Sequence, residues 1–153
     1  MKKYAYGISL ALIVLASALV LAAQTDQNNP FVGTWKLNVA KSKFSPGPGP
    51  ASETVTIAPD GKVSVQDTDK DGKSVEWSFT PSGDTAVPIQ GMENSTVVEK
   101  RSGNTIDHTW KMNGGNSKGH GTVSKNGKVM KYTMTGTNAQ GQQIHDVLIF
   151  EKQ

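Results

Sequence analysis

The chain has 153 residues, a formal net charge of +3, 19% charged residues and no cysteine. The missing cysteines exclude a disulfide framework, a thiolate metal site, a cysteine nucleophile and a lipid-modified bacterial N-terminus. Lys2 and Lys3 supply two of the positive charges, so the rest is nearly neutral and has no electrostatic footprint for nucleic acid or an anionic membrane. The length bounds the chain to one domain once a leader is set aside.

Met1-Lys2-Lys3 reads as a positive n-region, Ile8 to Leu21 as an apolar h-region, and Ala22-Ala23-Gln24 as a small-residue cleavage region. The apolar run is short of the roughly 20 residues that a membrane-spanning helix needs. Residues 1–23 are therefore expected to be a cleaved signal peptide, 24–30 a polar tether and 31–153 a folded domain. The expected destination is the bacterial periplasm or the medium, with no membrane span left after cleavage.

Leucine occurs five times in residues 1–23 and twice afterwards, while Val, Ile and Thr make up 31 of the remaining 130 residues. That is strand-building composition, and no apolar run at helical spacing interrupts it. Short alternating segments recur, each closed by a turn signal. Val32 to Val39 comes first, followed by Glu53 to Ala58, Lys62 to Thr68 and Ser74 to Thr80. A weaker Thr85 to Gln90 contains Pro88, and Ser95 to Arg101 follows. Thr105 to Met112 ends at Asn113-Gly114-Gly115-Asn116, and Gly119 to Lys125, Lys128 to Thr137 and Gln143 to Lys152 complete the series. Asn-Gly and Asp-Gly tips favour tight hairpins, so successive strands are antiparallel neighbours. The expectation is an all-β, up-and-down meander of about 8–10 strands, closed into a barrel because closure removes two exposed edges and a bare apolar face.

Period-2 parity assigns an interior to each strand. Trp35 and Leu37, Val55 and Ile57, and Val63 and Val65 share one face; Val75, Trp77 and Phe79 continue it. Ile106, His108, Trp110 and Met112 follow, then Gly121 and Val123, then Met130, Tyr132 and Met134. The last strand, Val147-Leu148-Ile149-Phe150, is apolar on both faces and gives no parity.

The opening Phe31-Val32-Gly33-Thr34-Trp35-Lys36-Leu37, with its Gly-x-Trp at Gly33 and Trp35, resembles the first strand of a calycin, either a lipocalin or an intracellular fatty-acid-binding protein. Ile149-Phe150-Glu151-Lys152 is similar to the last strand of the fatty-acid-binding proteins. The stretch Gly33 to Pro48 also resembles a group of secreted bacterial lipocalin-like proteins of undefined function. The resemblance implies a barrel with an internal pocket for a small apolar molecule. Three family features are absent. Leu148 and Phe150 stand where an Arg and a Tyr would clamp a fatty-acid carboxylate. Pro46, Pro48 and Pro50 keep the Ala40 to Ala51 connection from forming a helical lid. The lipocalin cation over the tryptophan is an Arg from the last strand, and Arg101 is the only arginine here.

Asp67-x-Asp69-x-Asp71-Gly72 copies half an EF-hand loop, but Ser78 stands where calcium needs its bidentate Glu, so an acidic hairpin tip is expected. His108, His120 and His145 have no metal-ligand spacing, and no metal or cofactor is expected. No G-x-S-x-G elbow occurs, and no carboxylate pair is expected on the inner face, so catalysis has no identifiable constellation. The candidate ligand-binding residues are Trp77, Phe79, His108, Trp110, Met112, Tyr132 and Met134, around a small hydrophobic ligand entering near the Ala40 to Ala51 loop. Two alternatives stay open: an envelope interaction or structural protein with a filled barrel, and a haem or metal binder through His108.

Overall fold

The computed structural model describes residues 29–153, so the expected leader and most of the polar tether lie outside the described residues. Alternation of β-branched and polar residues gives ten strands there: β1 Gly33–Leu37, β2 Ser52–Ile57, β3 Val63–Thr68, β4 Ser74–Phe79, β5 Val87–Pro88, β6 Thr96–Ser102, β7 Thr105–Met112, β8 Gly115–Val123, β9 Val129–Thr137 and β10 Gln143–Lys152. They form one antiparallel sheet in the order β4-β3-β2-β1-β10-β9-β8-β7-β6-β5. Every consecutive pair except β4 and β5 is hydrogen-bonded, and the first strand pairs with the last through Trp35↔Lys152 and Leu37↔Phe150. This is the expected meander, rolled up until its ends almost meet. One bridge, Ser78↔Gln90, spans the remaining seam with backbone bonds of 3.0 and 2.8 Å. Among the described residues no helix is long and apolar enough to cross a membrane.

The expected interior parity is largely what the barrel shows. Trp35, Leu37, Ile57, Val63, Val65, Phe79, Ile106, Trp110, Val123, Met130 and Tyr132 are all buried. Val75 is the exception: it is 38% exposed, opposite Asp67 on β3. The four-residue turn expected at Asn113 to Asn116 is also too long. Asn113 and Gly114 alone turn, both at positive φ, and Gly115 already pairs with Met112. Glycine-rich composition hides the start of β8. Its glycines are spacers, since a Cβ at Gly119 would overlap the Tyr132 ring and one at Gly121 would crowd Ile106.

The two-faced character of β10 has a local cause. After β1 the chain makes a short 3₁₀ turn at Val39–Lys41, capped by Asn38, and then runs beside β10 a second time. Lys43 and Val147 exchange two backbone bonds of 2.8 Å, and Ser42 Oγ accepts from the Ile149 N–H. Inward, Leu148 and Phe150 are buried. Pro88 sits on β5, the sheet's last strand and a two-residue one, where a missing N–H does least harm.

One end of the barrel is plugged. Phe31 and Trp35 have no solvent exposure, and the indole N–H donates to the Phe31 carbonyl at 2.7 Å. Lys152, from the last strand, places its ammonium 4.9 Å from the Trp35 ring centroid and donates to the Pro30 carbonyl at 3.0 Å. The cation over the tryptophan is thus a lysine, while Arg101 lies over the neighbouring Phe31 ring. Gly33 adopts φ +129°, and a Cβ there would come 2.9 Å from Lys152 Cε. Gly33→Ala is expected to lower stability by about 1–3 kcal/mol through backbone strain and displacement of Lys152. Urea unfolding checks this, with exposed Lys36→Thr as the neutral comparison.

Candidate functional site

The inward side chains do not fill the barrel. They leave a hollow of about 240 Å³ whose wall is overwhelmingly apolar. The seven candidates Trp77, Phe79, His108, Trp110, Met112, Tyr132 and Met134 all line it. Trp110 meets Trp77 and Phe79 edge-on at centroid distances of 5.8 and 5.7 Å, and His108 stacks on Trp110 at 4.7 Å. These contacts lock the aromatic wall in place and leave the thioethers of Met112 and Met134 as its adaptable part.

A polar relay runs through the deep wall. The Trp110 indole N–H donates to Tyr132 Oη at 2.9 Å, and Tyr132 Oη lies 3.2 Å from His108 Nδ1. His108 Nε2 lies 2.9 Å from Glu99 Oε2, and Glu99 Oε1 is 2.6 Å from Arg101 Nε. A hydroxyl proton given to Nδ1 and an Nε2 proton given to Glu99 satisfy the tyrosine, the histidine and the carboxylate in turn, whereas Arg101 contributes charge alone, its Nε and Nη2 being buried without a hydrogen bond. Burial pushes the Tyr132 phenol well above its usual pKa, opposed by the bond from Trp110. Arg101 answers the charge of Glu99, lies 5.9 Å over the Phe31 ring, and is not part of the hollow's wall.

Parity on β6 makes Glu99 and Arg101 inward partners of Val97, a pattern that sequence reasoning did not use. The relay also bears on the haem or metal alternative, because both ring nitrogens of His108 are engaged. His120 is on the outer face with Asp107 at 2.7 Å, and the three histidines do not converge. Among the described residues no group of three or more His, Cys, Asp or Glu side chains is arranged to hold a metal.

The expectation that the inner face holds no carboxylate pair is wrong. Glu53 and Asp67 stand directly opposite each other on β2 and β3, and both line the hollow at its open end. They continue the inward parity of Val55 and Val65, one step beyond the apolar residues that define it. Glu53 retains some accessible area at the junction of hollow and vestibule, while protein surrounds its carboxylate on nearly every side. Burial first and the charge of Asp67 second raise its pKa to about 7. Asp67 is also raised, by burial, against a backbone bond from Thr68; its Oδ1 is buried with no hydrogen-bond partner. Asp69, two residues on, is spent on the turn, accepting the Asp71 and Lys73 N–H groups at 2.9 Å. The EF-hand-like triplet is therefore divided between lumen and hairpin tip.

The same end of the barrel opens into a vestibule under the proline-rich connection. Phe44, Pro46, Pro48 and Pro50 form one side of it, and Glu53, Asp67, Met134 and Leu148 belong to both vestibule and hollow. The Phe44 ring lies flush on Gly49, where a Cβ would not fit.

A carboxyl whose folded-state pKa exceeds its ordinary value binds its proton more tightly when folded. Stability is therefore present at acidic pH and lost as pH rises through the window from about 4.5 to about 7. The groups facing Glu53 are Asp67 beside it, Glu99 and His108 deeper in, and Asp69, Lys70, Asp71 and Asp146 around the vestibule. Glu53→Gln is expected to stabilise the protein at pH 8 by on the order of 2–3 kcal/mol and to change little at pH 4. Urea titrations at the two pH values check both parts.

No protein-family model matches the chain, and no curated protein does. Solved structures do match. A Schistosoma mansoni fatty-acid-binding protein in complex with arachidonic acid aligns with a TM-score of 0.54 at 16% identity, covering 82% of this chain and 98% of that one. Echinococcus granulosus fatty-acid-binding protein 1 aligns at 0.52 and 15%, covering 80% and 97%. The wild-type fluorescent protein UnaG aligns at 0.51 and 15%, covering 80% and 97%. At such identities the likeness is one of fold alone: the chain shares an antiparallel β-barrel with these fatty-acid-binding proteins and UnaG.

Proposed function

We propose that the protein is an exported, non-catalytic binding protein that holds one small apolar or amphipathic molecule inside its barrel. The observation that carries this reading is the hollow of about 240 Å³, open at one end and walled by aromatic and thioether side chains. Such a wall rewards apolar burial at about 25 cal/mol per Å², while the Tyr132–His108–Glu99 relay offers a few fixed polar groups to orient a guest. A fully packed barrel, the premise of the structural-protein alternative, is at odds with that space. The Schistosoma neighbour carries arachidonic acid, but a guest of that length is not the natural one here. The hollow is smaller than the roughly 300–1,000 Å³ of sites for drug-sized ligands, and Leu148 and Phe150 occupy the positions of the carboxylate clamp. Entry is through the proline-walled vestibule, and Met1 to Ala23 serve as the export leader.

Octanol is a suitable neutral probe. Titration calorimetry is expected to show saturable binding of one octanol per chain, with a matching change in tryptophan fluorescence from Trp77 and Trp110. Val55→Phe, which pushes a ring into the hollow, is expected to weaken binding at least tenfold while keeping the β-sheet circular dichroism. Wild-type protein with no saturable binding would sink the reading. For the export half, the intact mass of protein recovered from its producing cells is expected to correspond to a chain starting at Ala23 or Gln24. A retained Met1 would contradict it.

A further inference from the structure

The wall of the hollow contains three carboxylates, Glu53, Asp67 and Glu99, and no lysine or arginine. Only one of the three has a countercharge, since Arg101 Nε lies 2.6 Å from Glu99 Oε1. Glu53 and Asp67 form no ion pair among the described residues, and Asp67 Oδ1 is enclosed without any hydrogen-bond partner. Two ionisable carboxylates side by side at the neck of an apolar cavity cost the folded protein free energy unless something of opposite sign arrives. The vestibule above does not supply it. Asp69, Asp71 and Asp146 outnumber Lys70 there, and the Asp146 carboxylate is engaged by the Ser45 N–H at 2.8 Å.

From this we infer that the guest is a cationic amphiphile, a small protonated amine with an apolar body, seated with its ammonium between Glu53 and Asp67 and its body against the Trp77, Phe79 and Trp110 rings. The inference rests on the binding reading above and adds the sign of the ligand's charge. An ammonium carries up to three donors and so meets both carboxylates, including the unpartnered Oδ1. A fatty acid, by contrast, would place a third negative charge beside two that already repel each other. The polarity of this barrel is therefore the reverse of one built to clamp a carboxylate.

Octylamine, octanol and octanoate share one tail and differ in head-group charge, and calorimetry at pH 8 separates them. The expected order is octylamine tightest by at least tenfold over octanol, with octanoate weakest. In the Glu53→Gln/Asp67→Asn double variant the amine preference disappears while octanol affinity stays at the wild-type value. Asp60→Asn, exposed at the opposite end of the β2–β3 hairpin, leaves the preference intact. Octanol or octanoate binding as tightly as octylamine overturns the inference and leaves the carrier reading standing. So does an amine preference that survives the double variant or is lost equally in Asp60→Asn. If none of the three probes binds, the carrier reading itself fails.

Discussion

Closure of the sheet through its first strand is the constraint on which everything else depends. β1 is only five residues long, yet its backbone pairs with β2 on one side and β10 on the other. It joins the β2–β4 hairpins to the run from β5 to β10, and without it there are two open sheets with bare apolar faces and no interior. Trp35 sits in that strand, opposite both Val55 and Lys152. The residue that completes the circumference therefore also plugs one end. Closure fixes the direction of access, because the plugged end leaves the proline-walled end as the way in.

Inside, polar groups are handled in two different ways at two depths. In the deep wall each donor finds an acceptor along the Trp110–Tyr132–His108–Glu99 line, and such satisfied bonds contribute about 1 kcal/mol each. Near the mouth neither Glu53 nor Asp67 has an ion-pair partner and only a backbone bond from Thr68 compensates Asp67, and unpaired buried charge can carry a penalty of several kcal/mol. The larger magnitude decides which group shapes ligand choice. The deep relay is a rigid part of the wall, whereas the mouth pair is an unmet demand. A protein that tolerates such a loss in the empty state keeps binding energy in reserve for the guest that relieves it.

Most of the architecture was legible in the order of residues. Alternating apolar positions and Asn-Gly or Asp-Gly tips located the strands, and hairpin-short connections dictated the meander. What escaped has physical causes. β8 starts earlier than expected because Gly115, Gly119 and Gly121 look like loop composition, although tight packing against Thr137, Tyr132 and Ile106 demands them. The seven aromatic, thioether and histidine candidates were found by parity, whereas Glu53, Asp67 and Glu99 were overlooked on the same faces. Extending the period one step from Val55 and Val65 places Glu53 and Asp67 in the lumen, whereas the adjacent Val97 and Val98 leave the parity of β6, and so the side of Glu99, open in the sequence. The vestibule was less accessible, since the path of a proline-rich connection is set by contacts that strand periodicity does not encode.

Between β4 and β5 the wall is held by the single Ser78–Gln90 bridge, against ladders of up to nine paired residues elsewhere. Gly91 accommodates the tight approach there, with no room for a Cβ against the Glu76 carbonyl. Widening the ring at this seam breaks two backbone bonds, whereas parting β8 from β9 or β9 from β10 would break ladders of eight and nine residue pairs. The barrel therefore behaves as a split collar, stiff around most of its girth and compliant along one line. Its bore is set by whatever it closes upon, within the give that a pair of hydrogen bonds allows.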